Sequence, residues 1–286
     1  MVGYPEMELE DLNGRVWALS DAESPIRIAV DGKSGVAKIR GLQGSPWKLE
    51  ATAGVQQPGV TVISRIDDKS IVSMELRCGG GDPDDVVDEV REFADGLGRG
   101  VARGGRMMRL TCLDSDRFQE VRLAELVEFD WTRLASIGLQ TVQLALQSDE
   151  SWWRSTPVDK TFTASEFAGA RVKNASTTDL GSWPWFRIEG PITNPTLGFD
   201  GEQVTVPITL SAGQWVEIET DPDAWSVRNH AGVDLTWAPS VGYRWHKRVP
   251  PRSTKNGGAP LHISGAGTSS ETRVRVVVPQ LFEAAL

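Results

Sequence analysis

Histidine and tyrosine are scarce in this chain, at three and two residues, and cysteine is limited to Cys78 and Cys112. Two cysteines with no histidine nearby do not complete a tetrahedral metal shell. Each lies in a strand-like run, so both are expected as buried free thiols. His230, His246 and His262 stand outside any His-Glu-x-x-His, Cys-His or Ser-His-Asp context, and read as loop or strand histidines. Gly79-Gly80-Gly81 precedes a helical pattern, but no Gly-Lys-Ser/Thr follows, and Asp82, Asp84 and Asp85 would repel a phosphate. Glu217 and Glu219 share one face of a strand, which is a solvated face before it is an acid pair across a cleft. Met107-Met108 reads as core or interface filler. No cofactor, no metal and no catalytic residue is nominated, and the chain reads as a non-enzyme. No apolar run approaches the roughly 20 residues that span a bilayer. The acidic stretch 1–11 has no apolar signal core, so synthesis in a cytoplasm without membrane insertion is expected.

What is present is a soluble composition, 40% hydrophobic and 24% charged, in 286 residues, a length that suits two domains. The net charge of −9 is unevenly placed. Residues 1–150 hold 26 acidic and 17 basic side chains, whereas residues 151–286 hold 13 of each. An acidic first half argues against general binding to nucleic acid or anionic membranes, and the split suggests two units with different surroundings. Eight of the eleven tryptophans fall at or after Trp152, and 29 glycines with 16 prolines indicate many short strands and turns.

In the first half, residues 1–25 read as an arm or edge strand with an apolar patch at 16–19. A hairpin is expected from 27–30 and 36–42 around a Gly-rich turn. Residues 41–48 form a loop with one exposed or docking aromatic, Trp47. Strands at 60–66 and 71–78 are expected to pair through the turn at Asp67-Asp68-Lys69. One helix is well signalled. Asp82 is placed to cap it and Pro83 to open it; Val86, Val87, Val90, Phe93, Ala94 and Leu97 make one apolar stripe, and Gly98 ends it. Strands follow at 107–113, twice within 118–134 with Phe129 and Trp131 on one face, and at 139–146. The expected first domain, residues 1–150, is β-rich with one helix.

A polar joint at 149–157 carries Trp152 and Trp153. Beyond it short strands recur without a helix signal: 160–164, 170–174, 185–192, 203–210, 214–220, 225–229, 234–237, 260–264 and 272–278. Pro184 opens the strand at 185, and Gly190-Pro191 and Asn194-Pro195 read as turns that close it. The expected second domain, residues 151–286, is an antiparallel β-sandwich of galectin-like or jelly-roll kind. Residues 244–258, basic and holding Pro250-Pro251, read as a mobile loop. Trp183, Trp185, Trp215, Trp225, Trp237 and Trp245 are the candidate site residues here. Tryptophans on strands fill cores or subunit contacts, or form exposed platforms for sugar rings, and both readings stay open.

The second half also resembles a known family. The joint Asp149-Glu150-Ser151-Trp152-Trp153, the run from Asn174 to Asp179 into Trp183-Pro184-Trp185-Phe186-Arg187-Ile188-Glu189-Gly190-Pro191-Ile192-Thr193-Asn194-Pro195, the strand–turn–strand from Leu210 to Asp221, and Gly265-Ala266-Gly267-Thr268 before Val274–Val278 are similar to distal tail proteins of long-tailed, siphovirus-type bacteriophages, often called minor tail proteins. In the first half the likeness is looser and rests on a β-rich domain with one helix and a Gly-Leu-Gln-Gly-Ser-Pro element at residue 41. The resemblance implies a structural protein of the virion tail tip or baseplate. It implies a ring of copies, commonly hexameric, around the DNA channel, with a tail-tube protein above and hub, tip and adhesion proteins below and outside. The first domains would form the ring and the second would project. A carbohydrate-binding adhesion module is the alternative. The basic stretch 244–258 departs from the family pattern and points to a local contact of its own.

If such a ring surrounds DNA, acids of the first half would line its wall, since like charge prevents adhesion. Asp67, Asp68, Asp114 and Asp116 are the candidates. Solubility alone is the competing reason for an acidic surface.

Overall fold

In a computed structural model, residues 5–53, 61–80, 83–98, 105–236 and 244–286 are described. Gly81, Asp82 and Trp237, named above, and the first residue of the strand expected at 60–66 lie outside them. The chain divides into two units. Unit 1 holds the residues up to 154 and also Phe282–Leu286; unit 2 is Ser155–Leu281.

Unit 1 is built from antiparallel strands. Val16–Ala18, Met7–Glu10, Met108–Cys112 and Arg117–Leu123 lie side by side in that order. A second group of strands centres on Ser70–Gly79, joined to the first where Leu139–Ser148 pairs with Arg117–Leu123. Ser70–Gly79 pairs along its whole length with Leu139–Ser148, and on its other side with Ile26–Ile28 and Ile39–Arg40. Alternation fixes which face is inside. Val72, Met74, Leu76 and Cys78 are buried, while Ser73, Glu75 and Arg77 point away from the core. Cys78 and Cys112 are buried free thiols, and burial pushes the Cys78 thiol up to about 12. The expected helix is Pro83–Leu97, and Val86, Val90, Phe93 and Leu97 of its stripe are buried in the same core. Asp11, 1% exposed, is satisfied by the Trp17 indole N–H (2.9 Å) and the N–H groups of Asn13 and Arg15. A side chain at Gly96 would collide with its carboxylate.

Three expectations fail in this unit. Thr61–Asp67 does not pair with the strand after it. Its partner is Trp47–Thr52, with the register shifting between Glu50 and Ala51. The expected loop at 41–48 thus becomes a strand from Trp47, and the turn at Asp67-Asp68-Lys69 joins two different sheets. Residues 118–134 are not two strands. Arg117–Leu123 is a strand, but Trp131–Ile137 is a second helix. The Asp130 side chain accepts from the Arg133 N–H at 2.9 Å, and Gly138 ends the helix at φ 61°. The apparent alternation of Phe129 and Trp131 is a ring contact at 5.4 Å around that cap.

Unit 2 has two antiparallel sheets. One runs Ser226–Asn229, Trp215–Glu219, Trp185–Glu189, Arg273–Phe282, Trp153–Thr163; the last two strands extend past the ends of the unit. The other runs Arg171–Val172, Ala259–Ala266, Ile192–Phe199, Val204–Thr205, with Thr209–Leu210 beside Ile192–Phe199. Phe186, Ile188, Val216, Ile218, Val274 and Val276 of the first share a core with Leu197, Phe199, Leu261 and Ile263 of the second. This is a β-sandwich. The described helical residues are 3-10 turns at Ala164–Gly169 and Lys255–Gly257.

Here also expectations fail. The strand expected at 203–210 is two short ones, Val204–Thr205 and Thr209–Leu210. Asn194-Pro195 does not end a strand. Ile192–Phe199 runs through it, with Asn194 at φ 48° and a register shift between Thr193 and Thr196. A bulge is where proline fits within a sheet. Residues 244–258 are not a free loop. Trp245 and Val249 are buried at 2% and 0% exposure. The Glu202 carboxylate accepts the N–H groups of His246 and Lys247, Val249 bridges to Ser182, and the Asn174 amide donates to the Val249 carbonyl at 3.0 Å. Two apolar anchors and partners for the polar backbone make burial favourable.

Candidate functional site

The most exposed apolar surface lies on the hairpin Trp47–Thr52/Thr61–Asp67 of unit 1. Trp47, Leu49, Val62, Ile63 and Ile66 are each about half or more exposed, Ile63 at 67%. Trp47 and Leu49 sit opposite Asp67 and Arg65 on one face, while Ile66 sits opposite Lys48 on the other. Both faces therefore carry apolar side chains, and each strand has one partner. β-Branched residues favour the pleated backbone, but an isolated two-stranded hairpin is marginal in water.

Its base is fixed by residues of the joint. The Arg65 guanidinium stands 5.6 Å from the Trp47 ring and 5.9 Å from the Trp152 ring, and pairs with Asp67 at 2.7 Å. The Asp68 N–H donates to the Pro46 carbonyl, the Ser151 hydroxyl to the Asp68 carbonyl, and the Ser45 hydroxyl to the Ser151 carbonyl. Asp149, two residues before Ser151, accepts from the Gln147 amide and the Arg122 guanidinium, and these bonds hold its carboxyl below the usual range. The joint is thus a clamp, a role that composition does not reveal.

The four candidate acids fall on two turns. Asp67 is held by Arg65, and the Asp68 carboxylate accepts the Lys69 N–H. Asp114 accepts the Glu6 N–H at 2.9 Å in the turn Leu113–Ser115, and Asp116 closes that turn at φ 53°. Asp68, Asp114 and Asp116 are exposed, and Asp67 is half-buried.

Five of the six candidate tryptophans are described, and they separate. Trp245 is core; its indole donates to the Leu197 carbonyl at 3.2 Å and its ring meets Phe186 and Trp225. Trp183 and Trp225 pack partly buried against the same core, with Arg248 4.9 Å from the Trp183 ring. Trp185 and Trp215 lie on the outward face of their sheet. Arg187 covers Trp215 at 4.3 Å and Arg275 stands 5.8 Å from Trp185. Arg187 also pairs with Glu189 and Glu217, and Arg275 with Asp159. Burial raises the Glu219 carboxyl, which sits directly opposite Trp185.

Among the described residues no group of three or more His, Cys, Asp or Glu is placed to hold a metal. No described helix is long and apolar enough to cross a membrane. A depression of about 760 Å³ in unit 2 gathers Asn194, Glu202, Thr205, Arg244 and His246, with the Glu202 carboxylate engaged by backbone.

No protein-family model matches the chain, and no curated protein matches it in sequence. Solved structures do. The chain is similar to the SPP1 Dit (gp 19.1) protein, described as a paradigm of the hub adsorption apparatus in phages infecting Gram-positive hosts. The TM-score is 0.61 at 13% identity, over 98% of this chain and 100% of that one. It is also similar to chains of the phage p2 baseplate in its activated conformation. With strontium the TM-score is 0.51 at 11% identity, and with calcium 0.50 at 10%, each over 97% of this chain and 98% of the other. At these identities the likeness is one of fold, and over nearly its whole length this chain has a fold similar to that of phage tail-hub and baseplate proteins.

Proposed function

We propose that this chain is a non-enzymatic structural component of a bacteriophage tail tip. Copies assemble through unit 1 into a ring of six around the DNA channel, between a tail-tube protein and the hub and adhesion proteins, and the protein resides in the virion. The observation that carries this reading is the placement of exposed apolar side chains. Of the sixteen large ones among the described residues, fourteen belong to unit 1, five of them on the hairpin, and two, Leu180 and Val233, to unit 2. Surface of that kind marks a contact with another chain. The fold likeness supplies the setting by analogy. Asp68, Asp114 and Asp116 are the candidate acids best placed, by exposure, to face a channel.

The carbohydrate reading has less support, because Trp225 and Trp245 join the core and Arg187 covers Trp215. Native mass and negative-stain averages of the purified chain test the proposal. Closed rings are expected, and Leu49→Asp/Ile63→Asp should yield monomers. Monomers of the unaltered chain at every concentration, or retention on a host glycan column through Trp185 and Trp215, would reject it.

A further inference from the structure

Two oppositely charged surfaces lie on unit 1, on opposite sides of one sheet. The first is the outward face of Ser70–Gly79 and its neighbours. Arg27 and Arg77 are directly opposite each other in the register, and both point away from the core. Like charges so placed repel. No acid among the described residues forms an ion pair with either. Arg40, exposed, sits opposite Ser73 on the same strand. Glu75 is neutralised by Lys38 at 2.6 Å, and its other oxygen accepts from the Gln143 amide. A depression of about 800 Å³ opens over this face, lined by Lys38, Arg40, Ser73, Glu75 and Gln143, with Asp31 at its edge. The face is thus net positive on the acidic half of the chain.

The second surface is the helix Pro83–Leu97. Its buried stripe packs into the core that also takes Val72, Met74, Leu76 and Cys78, so the helix lies on the other side of that strand from Arg77. Away from the core it shows Asp85, Asp88, Glu89, Glu92 and Asp95, against Arg91 and the neighbouring Arg15. The helix face is net negative.

Resting on the ring reading above, we propose that these two faces meet in the contact between successive copies, in addition to the apolar hairpin. The acidic helix face of one copy seats on the basic sheet face of the next. A ring needs a head-to-tail contact made of two different, complementary patches, and charge of opposite sign on opposite sides of one sheet provides it. The contact relieves the Arg27–Arg77 repulsion, and its polarity excludes the reversed, head-to-head pairing of like faces. A second copy is favoured over a nucleic acid as occupant, because the −9 surplus of the same half repels a polyanion.

The test uses the full chain and reads mass against concentration. Arg27→Glu/Arg77→Glu and, separately, Asp85→Arg/Glu89→Arg should each raise the concentration for half-assembly by about tenfold or more, an effect that shrinks at high salt. Carrying both pairs together should restore assembly to within about threefold of the unaltered chain. Arg27→Gln/Arg77→Gln serves if the glutamate form melts early. Rings that form unaltered in the sheet variants, or a combined variant that stays dissociated, would overturn this joint and leave the ring reading standing. An unaltered chain that never assembles would remove the ring reading itself. A DNA duplex that binds the unaltered chain and not Arg27→Glu/Arg77→Glu, with assembly unchanged, would assign the face to a polyanion instead.

Discussion

The two units treat their surfaces differently. Unit 2 leaves Leu180 and Val233 as its large exposed apolar side chains among the described residues, and covers its outward aromatics, Trp185 and Trp215, with arginines that are themselves paired. Unit 1 leaves fourteen exposed, and extends a hairpin with apolar side chains on both faces. Apolar surface of that extent is stable in solution when another chain removes it from water. A unit that is finished by itself suits a projecting role, and a unit that is unfinished suits assembly. The tryptophan count misleads on this point, because most tryptophans lie in the finished unit.

Substitutions can break or sharpen this contrast. Val90→Asp, at a fully buried position of the helix stripe, places an unpaired charge in the core and should destabilise unit 1 by roughly 5 kcal/mol in urea unfolding. A loss below about 1 kcal/mol would show that the stripe is not core. Trp245→Ala removes the main apolar anchor of segment 244–258 and should cost unit 2 roughly 4 kcal/mol, with new proteolytic cuts between 244 and 258. An unchanged digest would restore the picture of a free loop. Leu49→Asp and Ile63→Asp, on the hairpin, should each change unfolding free energy by less than about 0.5 kcal/mol at dilutions where the chain is monomeric, while abolishing assembly. A large loss of monomer stability would make the hairpin part of unit 1's own fold.

The smallest effect concerns pH. Burial raises the folded-state pKa of Glu219 above its unfolded value. Its protonated form favours folding, so that contribution is present at low pH and is lost as pH rises through the carboxylate range. Glu219→Gln should therefore raise the melting temperature at pH 7 and leave it nearly unchanged at pH 3. An equal gain at both pH values would mean that ionisation is not the cause.

Much of this fold is legible in the sequence, and each failure has its own physical cause. Helical spacing at Val86, Val90, Phe93 and Leu97 and strict alternation at Val72, Met74, Leu76 and Cys78 identified two elements that bury one side. Pairing is less legible, because alternation says which face is buried and nothing about the neighbour. Thr61–Asp67 therefore reads as the partner of the nearest strand, although it pairs with Trp47–Thr52. The second helix carries its cap residues, Asp130 and Gly138, but seven residues with Leu134 alone buried give little periodicity. Segment 244–258 reads as basic loop until Glu202, Asn174 and Ser182 are known to receive its backbone. The basic sheet face had a sequence signal in the outward position of Arg77, but Arg27 joins it only through the register.

Backbone amide exchange on the full chain, followed from dilute to assembling concentrations, tests the assignment of assembly to unit 1 most directly. Protection should rise in peptides covering 47–52 and 61–67 and stay constant in those covering 185–189 and 215–219. Protection gained at 185–219, with 47–67 exchanging as freely as before, would contradict it.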